Sequence, residues 1–221
     1  MVASAGMIPG SLRVSYPWPE SSIEASPYCI DLDGGGRFLV DRLIAKRQNP
    51  TLLEIGSFLG GSTLRWLKGS PSVEIVALDP WPDCDAGDFA ASEEWWFNWP
   101  KPSEEVVHAL NAKDGLYHTF LANLAPYKDR VVPVRGRSQL LLEQLAEMGL
   151  EPDLVYIDAD KKRSDLDACF RLWPLARLTG DDYLWKPEAG YPMQQHVNAF
   201  AAEHGFSVAH VCQTWVLVPP G

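Results

Sequence analysis

Residues 51–62 read Thr51-Leu52-Leu53-Glu54-Ile55-Gly56-Ser57-Phe58-Leu59-Gly60-Gly61-Ser62. A short apolar run carrying one acid ends at a glycine, and two more glycines and a serine open an amphipathic segment. That order spells a buried strand, a tight turn and a helix start. Glycine reaches backbone angles and close approaches that a Cβ forbids. The free N–H groups of the helix start can face a ligand. A phosphate loop does not fit, because no Gly-Lys-Ser/Thr follows. Nor does the Gly-x-Gly-x-x-Gly turn, since Ser57, Phe58 and Leu59 separate Gly56 from Gly60.

Working outward, strands and helices alternate. Phe38, Leu39, Leu43 and Ile44 at helical spacing predict a helix over 36–48. Strands are expected at 52–56, 73–78, 131–134, 153–157 and 176–179. Helices are expected at 62–68, 139–148, 166–173 and 194–204. The chain closes with a hairpin of 206–211 and 215–218. Repeated β-α alternation predicts an α/β fold, a mostly parallel sheet with helices on both faces. Ligands of such sheets bind beyond the carboxyl ends of the strands, at the topological switch point. Glu54, Asp79, Asp158, Asp181 and Asp182 all fall at or near those ends. Any one of them could be a solvated loop or cap acid, but together they favour a shared site.

With 221 residues, one domain can account for the whole chain. Residues 1–33 read as an arm. Residues 81–129 are too long for a plain crossover. They carry Trp81, Phe89, Trp95, Trp96, Phe97 and Trp99. A lid over a flat substrate, a satellite hydrophobic cluster and a subunit contact each account for that aromatic content.

The formal charge of −10 argues against a large nucleic-acid surface. No apolar run approaches the ~20 residues of a membrane span, and no leader pattern opens the sequence. Cys29, Cys84, Cys169 and Cys212 are far apart and form no Cys-x-x-Cys, so reduced, mostly buried thiols in a cytoplasmic protein are expected.

The 51–62 stretch resembles motif I of class I S-adenosylmethionine (SAM)-dependent methyltransferases, and the resemblance extends over roughly residues 52–200. It implies a Rossmann-like fold with a C-terminal antiparallel hairpin and a SAM site. In that site Glu54, Gly56, Ser57, Phe58, Gly60 and Ser62 form the turn along the methionine part. Asp79 matches the acid that bonds the ribose hydroxyls; a carboxylate can accept two O–H bonds from a vicinal diol. Arg137 and Ser138, in Arg135-Gly136-Arg137-Ser138, match the segment beside adenine.

A second stretch, Asp158-Ala159-Asp160-Lys161, resembles the strand-4 motif of the catechol and caffeoyl-CoA O-methyltransferases. Gly180-Asp181-Asp182-Tyr183-Leu184-Trp185 resembles the segment after strand 5 in the metal-dependent sugar O-methyltransferases of macrolide and aminocoumarin pathways. The usual Gly-Gly turn before strand 5 is absent; Trp173-Pro174-Leu175-Ala176 stands there. The resemblance implies that Asp158, Asp181 and Asp182 hold a divalent cation, most simply Mg²⁺, whose oxygen-only coordination suits carboxylates and substrate hydroxyls. Asp158 also lies beside the expected cofactor site.

Two residues match the base of these families: Lys161 in the catechol-type pattern and Asp160 in the sugar-type pattern. Asp160 is favoured, because an aspartate needs no pKa shift to be ionised. His108 and His118 in the 81–129 segment could also reach the site. His196, His204 and His210 fall outside the strand ends and are expected to be structural.

The leading expectation is therefore a Mg²⁺-assisted O-methyltransferase for a small hydroxylated molecule, a sugar or catechol-like diol. Related enzymes often self-associate. The alternatives are a metal-independent methyltransferase and a binding or scaffold protein that kept the fold without turnover. A tRNA hydroxyuridine methyltransferase would share the Asp-Ala-Asp-Lys motif, but the acidic balance argues against it.

Overall fold

A computed structural model describes residues 7–19, 28, 35–82 and 103–220. The strands β1 (Thr51–Ile55), β2 (Glu74–Asp79), β3 (Val131–Arg135), β4 (Leu154–Ile157), β5 (Arg177–Gly180), β6 (Ser207–Val211) and β7 (Thr214–Val218) form one sheet. Their order is β3-β2-β1-β4-β5-β7-β6. The first five are parallel, and β7 joins β5 antiparallel and closes a hairpin with β6. The chain leaves β1 toward β2 and β3, then returns to β4 on β1's other side. The switch point therefore lies between the ends of β1 and β4.

Alternation along each strand feeds two cores. Leu53, Ile55, Val76, Leu78, Val155 and Ile157 face one side. They are covered by α6 (Ser138–Glu147), α7 (Arg163–Leu172) and α8 (Pro192–His204), with Leu12 of the short α1 (Gly10–Ser15). Leu52, Ile75, Ala77, Leu154 and Tyr156 face the other side. There they meet α2 (Phe38–Ala45), α3 (Gly61–Gly69), α4 (Glu104–Asn111) and α5 (Gly115–Leu124). Parallel strands between two helical layers are buried on both faces, hence the continuous apolar runs. Among the described residues no helix is long and apolar enough to cross a membrane.

The strands expected from sequence all form, with ends shifted by one or two residues. The 81–129 segment is resolved differently in its described part. Residues 103–124 form the helical pair α4 and α5, whose Leu110, Leu116, Phe120, Leu121 and Leu124 belong to the core. Trp81 is fully buried against Phe120 and Tyr117. These parts are framework. Phe89, Trp95, Trp96, Phe97 and Trp99 lie outside the described residues, as do Cys29 and Cys84. Of the other two thiols Cys169 is buried, whereas Cys212 is exposed on the β6–β7 turn, against the expectation of burial. His108 lies in the last turn of α4 and His118 lies in α5. His204 packs on Phe170 and Phe200, and His210 stacks on Tyr183, consistent with structural roles.

Candidate active site

The turn after β1 is built by backbone constraint. Gly56 takes φ +91°, and a Cβ there would run into the carbonyl of Asp158 on β4's exit. That close approach locks the ends of β1 and β4 together at the switch point. Gly60, at φ +81°, leads into α3. Behind the turn, Glu54 is fully buried and accepts hydrogen bonds from the hydroxyls of Ser62 and Thr63. Burial pushes its carboxyl up to about 7 against those two bonds. Glu54 and Ser62 thus pin the start of α3 to β1.

Asp79 ends β2 and faces the turn. Its two oxygens accept the backbone N–H groups of Phe58 (2.9 Å) and Trp81 (2.7 Å). The Trp81 indole donates back to the Phe58 carbonyl at 2.6 Å. Both Phe58 and Trp81 have positive φ, a conformation costly for bulky residues and held here by these reciprocal bonds. Burial raises the Asp79 carboxyl, and the backbone donors counter it.

A cleft of about 350 Å³ opens between these elements. Gly56, Phe58, Asp79, Pro80, Pro82, Gly136, Arg137, Ser138, Gln139, Asp158, Ala159 and Asp160 line it. Its volume lies in the range of small-molecule sites. The sequence expectations divide accordingly. Gly56, Phe58, Asp79, Arg137, Ser138 and Asp158 line the cleft. Glu54, Ser57, Gly60 and Ser62 do not; they shape the turn from behind. Ser138 lies on the wall but its hydroxyl donates to Asp165 at 2.9 Å, so its side chain is engaged inside the fold. The cleft fits SAM at the points its chemistry demands: a glycine turn that admits close approach, and a carboxylate at the end of β2.

Asp158, Asp181 and Asp182 do come together at the ends of β4 and β5. Gly180 allows this, since a Cβ would strike the Trp215 ring of β7, and the Trp215 indole donates to the Asp181 carbonyl at 3.0 Å. Two protein cations are already among the three acids. Nη2 of Arg37 lies 3.2 Å from Asp158 Oδ2 and 3.1 Å from Asp181 Oδ2. Its Nε donates to the Tyr156 hydroxyl at 3.0 Å. Nζ of Lys161 lies 2.5 Å from Asp182 Oδ2 and 3.4 Å from Asp158 Oδ1. Burial opposes both positive charges, but Tyr156, Asp158 and Asp181 around Arg37, and Asp158 and Asp182 around Lys161, outweigh it, and both groups are held above their ordinary pKa. Burial, then the charge of Asp158, pushes the Asp181 carboxyl upward, and Arg37 opposes. Carboxylates bridged in this way do not fit a divalent ion, which needs their oxygens at about 2.1 Å in open octahedral geometry. Among the described residues no group of three or more His, Cys, Asp or Glu has the arrangement of a metal site.

The two candidate bases differ in setting. Lys161 has a left-handed backbone (φ +56°) and is held charged by Asp158 and Asp182. Asp160 is exposed and pairs with Lys162 at 2.9 Å, a hydrogen bond that lowers its pKa.

Arg37 is the residue that sequence reading missed. It caps α2 directly after Gly35 and Gly36, both at positive φ, and a Cβ at Gly36 would meet the Val211 carbonyl. The one available signal was the arginine following Gly34-Gly35-Gly36, a run that allows a chain to pass close under the hairpin.

Comparison with known proteins agrees with this geometry. Residues 53–180, more than half of the chain, match the family model described as "Methyltransferase domain". No curated protein sequence matches. Among solved structures, a candidate caffeoyl-CoA O-methyltransferase from Staphylococcus aureus superposes with a TM-score of 0.54 at 15% identity, over 87% of this chain and 84% of that one. A candidate O-methyltransferase from Klebsiella pneumoniae gives 0.52 at 18% identity, over 95% and 87%. The cofactor-bound protein Rv0187 from MTB gives 0.51 at 20% identity, over 94% and 86%. At these identities the likeness is one of fold. The sheet order, the switch-point cleft and the family match together place this chain in the methyltransferase-domain family of class I SAM-dependent methyltransferases.

Proposed function

We propose that the chain transfers the methyl group of SAM to a hydroxyl of a small neutral molecule, a sugar or a diol. The observation that carries this reading is the continuity of the cleft. Its cofactor wall, Gly56 to Asp79, runs into Asp158 and Asp160, and the Lys161 ammonium lies 3.4 Å from Asp158 Oδ1. The bound cofactor supplies an electrophilic methyl on a sulfonium; the chain must hold the acceptor oxygen in line and take its proton.

The settings of the two candidate bases separate their roles. Lys161 is held charged, so it stabilises the negative charge growing on the acceptor oxygen. Asp160 is ionised and lies on the cleft wall, so it accepts the proton. Its low basicity requires proton transfer to run with methyl transfer and not ahead of it. Vicinal hydroxyls suit this site, since one can bond Asp158 or Asp182 while its neighbour meets Lys161. The acid-rich wall and the charge of −10 disfavour anionic acceptors, nucleic acid included. The Mg²⁺ implied by the sequence resemblance has no role in this proposal, because Arg37 and Lys161 already bridge the acids.

The test is transfer of labelled methyl from SAM to a panel of sugars, catechols, amines and carbon acids. Products methylated on oxygen are expected. Asp160→Asn should lower kcat by about a hundredfold or more with KM little changed. Products methylated only on nitrogen or carbon would refute the O-methyl reading.

A further inference from the structure

We infer that Arg37 and Lys161 are built-in substitutes for a divalent cation, so that the carboxylate cluster of this chain needs no metal. The inference rests on the proposed methyl transfer for its role in turnover, but on geometry alone for its existence. One guanidinium nitrogen sits between Asp158 Oδ2 and Asp181 Oδ2 at 3.2 and 3.1 Å, bridging two acids as an ion would. Lys161 Nζ bridges the remaining pair, Asp158 and Asp182. Three carboxylates thus face two fixed cations. A dication entering the cluster would lie against a guanidinium only 3% exposed, whose charge is offset by these acids and hardly by water.

Each cation is held by more than its acids. The Tyr156 hydroxyl accepts from Arg37 Nε, and Tyr156 lies in the middle of the sheet, fully buried. The glycines before Arg37 fit it beneath the β6–β7 hairpin, where a side chain at Gly36 would collide with Val211. Lys161 adopts a left-handed backbone, and its ammonium also lies 5.8 Å from the centre of the Trp185 ring. A buried ion pair is costly unless well bonded; these two cations meet that condition on several sides. An arginine cannot lose its charge as a lysine can, so the positive charge between Asp158 and Asp181 persists at every pH at which the protein is folded. A fixed cation in this position orients the acids and supplies positive potential to a developing alkoxide without an ion to bind or release.

The experiment is titration of Mn²⁺ into the whole protein, read by the electron paramagnetic resonance signal of free Mn²⁺. It is run on the wild type, Arg37→Gln and Lys161→Met, with S-adenosylhomocysteine binding and thermal melting measured alongside. The wild type is expected to bind Mn²⁺ no more tightly than millimolar. Removing either cation should tighten binding at least tenfold, since an acid pair is released. Stoichiometric micromolar Mn²⁺ binding by the wild type would overturn the inference, whether or not a variant folds. A folded Arg37→Gln and a folded Lys161→Met that both bind Mn²⁺ no better than the wild type would overturn it as well. S-adenosylhomocysteine binding separates this outcome from the cofactor reading. Its loss in the wild type would refute the methyltransferase function and leave the counter-ion assignment standing.

Discussion

The two halves of the site are built by different means. Between β1 and β2 the work is done by backbone: Gly56 is pressed against Asp158, and Asp79 collects the N–H groups of Phe58 and Trp81. Between β4 and β5 it is done by charge: Asp158, Asp181 and Asp182 are threaded by Arg37 and Lys161. In the first half the bonds around Asp79 join residues no more than 23 positions apart in sequence. A charge site is completed by whichever cation the fold delivers, here an arginine 121 residues from Asp158. The first half should therefore fail abruptly when its geometry is disturbed, and the second should respond in proportion to the charge removed.

The largest effect is expected at Gly56. Gly56→Val adds a side chain where the Asp158 carbonyl already sits, in a backbone conformation that β-branched residues avoid. It should abolish S-adenosylhomocysteine binding and lower the melting temperature sharply. A fully stable Gly56→Val with intact binding would break the account of the switch point.

Arg37→Ala comes next. Removing a buried cation leaves Asp158 and Asp181 facing each other, which costs about 3–5 kcal/mol in comparable cases. Denaturant unfolding should show this loss, and Arg37→Lys should recover only part of it, because an ammonium cannot bond Tyr156 and both acids in a fork.

Glu54 sharpens the comparison through pH. Its carboxyl is raised from 4.5 to about 7, so the fold favours the protonated form. Its contribution is fully present below pH 4.5 and is lost as pH rises through about 7. Across that window the loss amounts to at most about 3 kcal/mol. Glu54→Gln should remove this dependence, gaining on the wild type at pH 8 relative to pH 5. Equal pH slopes in the two proteins would mean that Glu54 is not desolvated.

The smallest effect is predicted at the surface. Arg163 forms an ion pair with Glu203 between α7 and α8, exposed on the Glu203 side. Glu203→Gln should change stability by less than about 1 kcal/mol, and less still in high salt.

Much of this was legible in the sequence, for physical reasons that differ by element. The parallel strands are short apolar runs bounded by glycine, proline or acid, and each forms where expected to within one or two residues. Gly56 and Asp79 announced part of the cleft wall because turn chemistry and strand-end acids are local signals. The helices α4 and α5 were hidden by the tryptophans before them. Yet Ser103 followed by Glu104 and Glu105 is an N-cap pattern, and the Ser103 hydroxyl does accept the Val106 N–H. Glu54 and Ser62 resemble cofactor contacts in sequence, but strand alternation turns Glu54 into the core and the hydroxyls follow it. The three acids were recognised as a cluster; what neutralises them was not. An arginine at a helix cap carries no local mark of the strand ends it will reach.

The most direct measurement is calorimetric titration of S-adenosylhomocysteine into the wild type and Asp79→Asn, each with and without chelator. The account predicts micromolar binding that chelator does not change. It predicts a loss of about tenfold to a hundredfold in Asp79→Asn, the size of one hydrogen-bonded charge. Absence of binding, or equal binding by Asp79→Asn, would contradict the placement of the cofactor in the cleft between β1 and β2.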